Sequence, residues 1–202
     1  MSSEGKPTMK ALKFLEAGAV GPYSKFQWPI PNGKPGKWVS VKGDLVACER
    51  GVHACTLEQS MSWLQSECYV IELGGEVIDA GDKLVARKGR LLYQTALDDR
   101  TLRLFAADCA KHVLYLFEKQ RPKDDRPRKA IEVARAFVNG KATVRQRDAA
   151  RDAARDAARA AAWDAAWAAA WDAAWAAAWD DEQAWQIKRL RHYLKLPRGW
   201  DA

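Results

Sequence analysis

The pattern of hydrophobic and polar residues divides the chain into a part with strand periods and a part with helical periods. Met9–Leu15 (MKALKFL), Gly51–Cys55 (GVHAC) and Cys68–Leu73 (CYVIEL) are short apolar segments typical of β-strands. Over residues 98–119 apolar side chains instead recur every three or four positions, which predicts an amphipathic helix. Strands followed by helices predict an α+β fold: a small mixed or antiparallel sheet domain with two helices, followed by a long Ala/Trp-rich α-helical region.

Glycines within the apolar segments predict turns between short strands. Gly74–Gly75 is expected to turn the chain from Cys68–Leu73 into a returning strand, Glu76–Ala80. Lys88–Gly89 is expected to join two further strands, Lys83–Arg87 and Arg90–Thr95. This interpretation predicts two tight hairpins, one after the other.

A capping signal predicts a helix between the strands. Thr56-Leu-Glu-Gln59 fits the capping box, in which the first and fourth side chains satisfy each other's backbone N–H groups. Met61, Trp63 and Leu64 would form the apolar face of this helix.

Residues 147–179 form an alanine-rich tract with a repeat of four, which is the most regular feature of the sequence. Arginine occupies the repeat position first, and tryptophan follows at Trp163, Trp167, Trp171, Trp175 and Trp179. Alanine is the best helix former and no Gly or Pro occurs from 141 to 196, so a helix over 142–194 is predicted. Steps of four drift by about 40° each, so the tryptophans form a ridge that sweeps about 160° of the helix surface.

The tryptophan row predicts an interaction surface, because each indole can bury roughly 150–250 Å². Its partner could be the N-terminal domain, a second copy, another protein or a membrane surface. The plain alternative is an expanded repeat that merely forms a stable helix. In the arginine half, Asp148–Arg151 and the two equivalent pairs after it are expected to form i,i+3 ion pairs on a solvated face.

The domain organisation follows from these segments and from a polar stretch with two prolines, KQRPKDDRPRK. The predicted parts are a disordered N-terminus (1–8), an α+β domain (9–119), a basic linker (120–129) and a helical region (130–196) with a short helix (130–138) and a long helix (142–194). Whether the long helix continues through Asp180-Asp181-Glu182 or restarts there is open, because acidic residues disfavour a helix C-terminus.

Composition limits the environment more than the function. The net charge of +7 and pI of about 9.3 permit binding of nucleic acid, through 119–129 and 188–198. The N-terminal residues lack the apolar run of a signal peptide, and charged residues in the alanine tract argue against a membrane span. A cytoplasmic location is therefore predicted, with the four cysteines as thiols.

Candidate chemistry concentrates around one strand. Cys48, His53 and Cys55 could hold a metal with Cys68 or Cys109 as a fourth ligand, but their spacing is not that of zinc knuckles. The alternative is that these cysteines are small buried hydrophobes. A nucleophilic Cys55–His53 pair lacks an identifiable third group, and the paired glycines lack the context of a phosphate loop, so no cofactor is predicted.

Several motifs carry a resemblance to known families. The stretch Met9–Leu97 resembles a domain of unknown function that recurs in phage and actinobacterial genomes. The matching motifs are Phe26-Gln-Trp28, the segment 48–55 (CERGVHAC), and the segment 70–77 (VIELGGEV) followed by Val85-Ala-Arg. The order of strand, Gly-Val-His, capped helix and strand is also similar to the middle of ADP-ribosyltransferase-like folds. That similarity implies NAD chemistry near His53, with Glu72 or Glu76 as the acid, although no first-strand NAD motif is present.

These observations predict a non-enzymatic binding or assembly protein of phage or prophage type, located in the host cytoplasm if phage-encoded. The tryptophan row would mediate self-association or docking of a protein partner. An ADP-ribosyltransferase-like enzyme, active or degenerate, is the first alternative, and a nucleic-acid-associated factor is the second.

Overall fold

The computed structural model describes residues 8–165, 172–197 and 200, with the side chains of 158–179 left out of the description. The chain divides into two compact units. One unit consists of Met1–Asp99 together with Leu190–Ala202, and the other of Arg100–Arg189. The described part contains an antiparallel sheet and four α-helices, so the predicted α+β class is confirmed. The domain boundaries predicted above stay predictions.

Five strands form the sheet of the first unit: β1 (Met9–Leu15), β2 (Val39–Ser40), β3 (Val52–Ala54), β4 (Glu67–Asp79) and β5 (Leu84–Gln94). All pairs are antiparallel: β1 with β4, β4 with β5, and β5 with both β2 and β3. Leu12 and Cys55 exchange two backbone hydrogen bonds of 2.8 and 2.9 Å. Because Cys55 directly follows β3, these bonds join β3 back to β1 and close the sheet on itself.

The core of the first unit lies on one face of these strands. Ala11 and Leu15 of β1 belong to it, and Leu12 and Phe14 between them are also buried. The other members of the core are Ala19, Trp28, Val52, Ala54, Tyr69, Ile71, Leu73, Leu84, Ala86 and Leu91. Burial on both faces explains why the strand segments are continuous apolar runs rather than alternating ones.

The two predicted hairpins are wrong, because β4 and β5 are single long strands that form one hairpin. Gly74–Gly75 lies inside β4 at a shift in the pairing register, and Gly75 has φ +79°, so this pair forms a bulge. The chain turns at 80–83 instead, where the Ala80 N–H donates to the Lys83 carbonyl at 2.8 Å. Gly81, with φ +87°, supplies the left-handed residue that this turn needs.

Gly89 is a strand residue for a packing reason. A Cβ atom at this position would lie 2.8 Å from Val52 Cγ1 and 3.0 Å from Ile71 Cδ1. The absence of a side chain therefore allows β3 and β4 to pack closely at this point of β5, and no turn is required.

The helix predicted after Thr56 is reduced to one 3₁₀ turn, Ser60–Ser62. Both hydrogen bonds of the capping box form: the Thr56 N–H donates to Gln59 Oε1 at 3.0 Å and the Gln59 N–H to Thr56 Oγ1 at 3.3 Å. The chain must enter β4 at Glu67, so it has no room for further turns. The local capping signal was correct and the element length was set by the sheet.

The helices are α1 (Asp99–Gln120), α2 (Arg126–Val138), α3 (Val144–Ala165) and α4 (Asp172–Leu194). α1 confirms the helix predicted over 98–119. α2 begins four residues before the predicted start because a proline is tolerated in the first turn of a helix. No helix in the described part of the chain is both long enough and apolar enough to cross a membrane.

A single long helix over 142–194 is not shown. The described residues form α3 and α4, and residues 166–171 between them lie outside the description. α4 runs through Asp180-Asp181-Glu182 without a restart, which answers the question left open by the sequence.

Candidate protein-binding surface

A buried carboxylate connects three helices of the second unit. Asp108 of α1 is only 7% exposed, and it accepts hydrogen bonds from Arg135 of α2 and from Arg189 of α4. The Arg189 Nε–Asp108 Oδ2 distance is 2.6 Å. A buried charge is tolerated when it is paired and hydrogen-bonded, so this trio fixes where these helices lie.

A second contact joins α1 to α4 one turn further along. His112 Nδ1 donates to Glu182 Oε2 at 2.5 Å, and the imidazole stacks on Trp185 with ring centroids 3.8 Å apart and planes 8° apart. Gln186 Nε2 donates to the other oxygen of Glu182 at 2.7 Å. His112 is exposed, yet Glu182 and Trp185 of α4 fix the orientation of its imidazole.

Cys109 lies beside these contacts, and its thiol is expected to be unreactive. Burial, together with the nearby carboxylates of Glu182 and Asp108, raises the pKa of its thiol to about 11. This half-buried cysteine therefore stays protonated at neutral pH.

The outer face of α1 carries two large apolar side chains that are exposed. Tyr115 is 63% exposed and Leu116 is 46% exposed. Lys111, His112 and Lys119 are exposed on the same side, since positions 111, 112, 115, 116 and 119 repeat at helical spacing. We call these five residues the α1 surface. Leu114, on another face of the helix, is buried.

The predicted interaction residues are the tryptophans of the repeat. Trp167 and Trp171 lie outside the described residues. The backbone at Trp163, Trp175 and Trp179 is helical, but their side chains are outside the description. Their role in interaction stays a prediction.

The predicted metal and catalytic residues of the first unit are only partly brought together. The Cys48 N–H donates to His53 Nε2 at 3.0 Å, whereas the Cys55 thiol is buried against Leu12. Among the residues that the structure describes, no three His, Cys, Asp or Glu side chains are grouped as a metal site would require. All four cysteines are free thiols.

Glu72, the candidate acid, lies apart from His53. Glu72 is paired with Arg90 at 2.7 Å in the middle of the sheet. His53 pairs with Val85, which is opposite Ile78 of β4, six residues beyond Glu72. Six residues of strand span about 20 Å, so the structure does not assemble these two side chains into one site.

Four of the basic residues in the two segments proposed for nucleic acid are paired with carboxylates of the chain. Arg126 bonds Asp124, Arg128 bonds Glu118 and Lys129 bonds Asp125. The pairing lowers the pKa of Asp124 to about 2, chiefly through its hydrogen bond from Arg126. In the C-terminal segment Arg189 is held by Asp108. These pairs weaken the positive field that phosphate binding needs.

In the arginine half of the repeat, the first expected ion pair is present. Arg151 Nη1 lies 3.9 Å from Asp148 Oδ1, and Arg147 also contacts Asp148 at 2.8 Å. Capping by Thr143 begins this helix: its hydroxyl accepts the Gln146 N–H at 3.2 Å, and Gln146 Oε1 accepts the Thr143 N–H at 2.8 Å.

Sequence reasoning missed Asp108, Arg135 and Arg189, and it also missed Lys13 and Lys83 of the first unit. Asp108 follows the buried Phe105 at helical spacing, so a carboxylate on an apolar face was a usable signal. The arginines that pair with it are 27 and 81 residues away, and no local pattern indicates them.

A family model described as "Imm-5 like putative immunity protein" matches residues 93–183. The match begins at the end of β5 and covers α1, α2, α3 and the first half of α4. The comparison with curated proteins and the comparison with solved structures found no match.

Proposed function

We propose that this chain is an immunity-type protein, which binds a toxic protein and blocks its action, and that its helical residues make the contact. The observation that carries the proposal is that the residues matching the immunity-protein model contain the exposed Tyr115 and Leu116. Complexes between toxins and immunity proteins include some of the tightest known, so a compact apolar centre is the feature to expect.

The α1 surface has the composition of an interface centre. Tyrosine is enriched among residues that dominate binding energy, and it contributes a large area at low conformational cost. Lys111 and Lys119 flank Tyr115 and Leu116 along the helix. A partner that fits this face has an apolar patch bordered by carboxylates, because complementary charges speed association and set the register.

The tryptophan row adds a second contact to the same proposal. Trp163, Trp167, Trp171, Trp175 and Trp179 all fall within the residues matched by the family model. Their four-residue spacing supports a packing ridge for a partner protein or for a second copy of this chain.

The test is protection from toxicity. Proteins encoded beside this chain in its genome are expressed in a bacterial host, alone and together with the full-length chain, and growth is measured. We expect one of them to stop growth and the full-length chain to restore it. The double variant Tyr115→Asp, Leu116→Asp should bind that partner at least tenfold more weakly and restore growth poorly.

Two controls make this test specific. Ile30→Asp alters an equally accessible apolar side chain of the other unit, 55% exposed, and should protect like the wild type. Trp167→Asp with Trp175→Asp tests the repeat, and light scattering on the same variant reports whether self-association is lost. Protection that survives both double variants would sink the assignment of these surfaces, and no rescue of any neighbouring product would sink the immunity function.

A further inference from the structure

An exposed cysteine and a buried lysine form a pair in the first unit. Lys83 Nζ donates to Cys48 Sγ at 3.0 Å. Cys48 is exposed, whereas Lys83 is only 8% exposed. A buried ammonium that points at an exposed sulfur is an arrangement that stabilises the thiolate, which is the reactive form of cysteine.

The lysine is held in place by several contacts. Its ammonium lies 3.2 Å from Asp82 Oδ2 and 4.6 Å from the centroid of the Trp63 ring. The 80–83 turn, which contains Lys83, is held by side chains of the segment before β4. Trp63 Nε1 donates to the Asp82 carbonyl at 2.7 Å, and Gln59 Nε2 donates to the Gly81 carbonyl at 2.9 Å. The pKa of Lys83 is raised, first by its hydrogen bond to Cys48 and then by Asp82, so it stays charged.

The cysteine is held from the other side by His53. Cys48 lies in the turn between Val46 and Arg50, which form an isolated β-bridge. Its N–H donates to His53 Nε2 at 3.0 Å, so this ring nitrogen carries no proton. Burial lowers the pKa of His53, and the charges of Lys13 and Lys83 lower it further, which keeps the imidazole neutral. The positive charge next to the sulfur therefore comes from Lys83.

The three other cysteines, all within the described residues, have the opposite surroundings. Burial raises the pKa of Cys55 to about 12 and that of Cys68 well above the usual value. Cys109 is raised to about 11. Cys48 differs from them by its exposure and by the cation bonded to its sulfur.

We propose that the Cys48–Lys83 pair is a modification site at which the Cys48 thiolate exchanges with low-molecular-weight disulfides. The sulfur attacks one sulfur of a disulfide RS–SR; a Cys48–S–S–R bond forms, the RS–SR bond breaks, and RS⁻ leaves and takes a proton from water. The disulfide is the oxidant, and it is reduced to one thiol as Cys48 is oxidised to the mixed disulfide. Lys83 keeps its proton throughout and retains Asp82 as its counter-ion. The site is independent of the proposed immunity function.

The first experiment measures alkylation of the full-length chain by iodoacetamide from pH 5 to 10, with the modified residue identified by mass spectrometry. Iodoacetamide is uncharged, so its rate follows the thiolate fraction rather than attraction of the reagent. At pH 7 we expect Cys48 to react several-fold faster than free cysteine, because it is exposed and the ammonium of Lys83 is bonded to its sulfur. Lys83→Met keeps the aliphatic stem but removes the cation from the sulfur, so it should slow this rate several-fold at pH 7.

The second experiment incubates the chain with glutathione disulfide and measures intact mass. We expect one glutathionyl group per chain, removed by dithiothreitol and absent in Cys48→Ser. Asp82→Asn retains the Lys83–Cys48 bond and should react within about twofold of the wild type. Unfolding of a variant is recognisable because the buried Cys55 and Cys68 would then also react. A Cys48 rate equal to that of free cysteine, or one unchanged by Lys83→Met at every pH, would overturn the proposal.

Discussion

At the scale of single residues, the first unit contains a lysine at a position that alternation assigns to the core. Lys13 lies between Ala11 and Leu15, both fully buried core residues of β1. Its Nζ donates to the His53 carbonyl at 2.5 Å and lies 5.2 Å from the centroid of the Trp28 ring. Burial lowers the pKa of Lys13 to about 8. The folded protein thus bears the cost of a charge held largely out of water.

The pH dependence of that cost gives the first prediction. Below pH 8 Lys13 is protonated in both the folded and the unfolded protein, so the cost is present in full. As pH rises from about 8 to 10.5 the folded protein loses this proton first, and the cost is progressively relieved. We expect Lys13→Met to raise the free energy of unfolding by about 1–2 kcal/mol at pH 7, after allowance for the lost hydrogen bond, and by much less at pH 10. Urea denaturation at both pH values measures this.

Lys10→Met is the matched control, because Lys10 is an exposed lysine of the same strand. Its effect should be within about 0.5 kcal/mol and the same at both pH values. A Lys13→Met variant that is less stable than the wild type at pH 7 would mean that the amine contributes more through its hydrogen bond than it costs through burial.

The second residue-scale prediction concerns Asp108. Asp108→Asn removes the negative charge between two arginines and should lower the free energy of unfolding by about 3 kcal/mol. Asp148→Asn is the comparison, because Asp148 also contacts two arginines, yet its side chain is 38% exposed. That change should cost at most about 0.5 kcal/mol. Denaturant unfolding of both variants decides it; equal effects would show that burial of Asp108 does not strengthen its pairing.

At the scale of elements, the close packing of β3, β4 and β5 depends on one glycine. Gly89→Ala would place a Cβ against Val52 Cγ1 and Ile71 Cδ1, at 2.8 and 3.0 Å. We expect a loss of about 1–3 kcal/mol in the free energy of unfolding, as for other overpacked cores. In a Val52→Ala background the added methyl group has room, so the same change should cost clearly less. Additive effects of the two substitutions in urea titrations would contradict this explanation.

The glycines of β4 and β5 show how far the sequence predicts the elements. β1 and α1 were found because their signals are local: a short apolar run for one, a period of three to four for the other. The β4–β5 hairpin was divided in two because Gly74–Gly75 and Lys88–Gly89 have the composition of turns. Tertiary packing sets the role of these glycines instead. Gly75 forms a bulge, and Gly89 packs against Val52, which is 37 positions away in the sequence.

The candidate chemistry was predictable to a similar extent. Cys48 and His53, which the metal hypothesis grouped, are in contact in the structure through the Cys48 N–H and His53 Nε2. Lys83, which bonds the Cys48 sulfur, is 35 residues away in the β4–β5 turn, and that turn was predicted elsewhere. The metal hypothesis arose because the short segment 48–55 shows two cysteines and a histidine. It does not show the ammonium of Lys83, which the turn between β4 and β5 brings to Cys48.

At the scale of the whole chain, the first unit is assembled from two distant stretches of sequence. Residues 100–189 are inserted between Asp99 and Leu190, and the chain then returns to the first unit. The Ala96 N–H donates to the Leu194 carbonyl at 3.4 Å, so the chain before the insertion is bonded to the chain after it. Discontinuous units of this kind depend on their last segment for completion of the core.

A chain that ends at Arg189 tests this dependence. It lacks Leu190, Leu194 and Trp200, which are 0%, 1% and 5% exposed in the full chain. Each buried side chain of this size contributes about 1.5–3 kcal/mol, so their joint loss approaches the whole stability of a typical domain. We therefore expect amide hydrogens of β4 and β5 to exchange at least a hundredfold faster in the shortened chain, as measured by mass spectrometry.

The single change Leu194→Ala should give an intermediate effect, because it removes one of the three side chains and leaves the backbone bond to Ala96 in place. Unchanged protection of β4 and β5 in the shortened chain would mean that residues 1–99 complete their own core, and that the C-terminal residues are buried without stabilising the sheet.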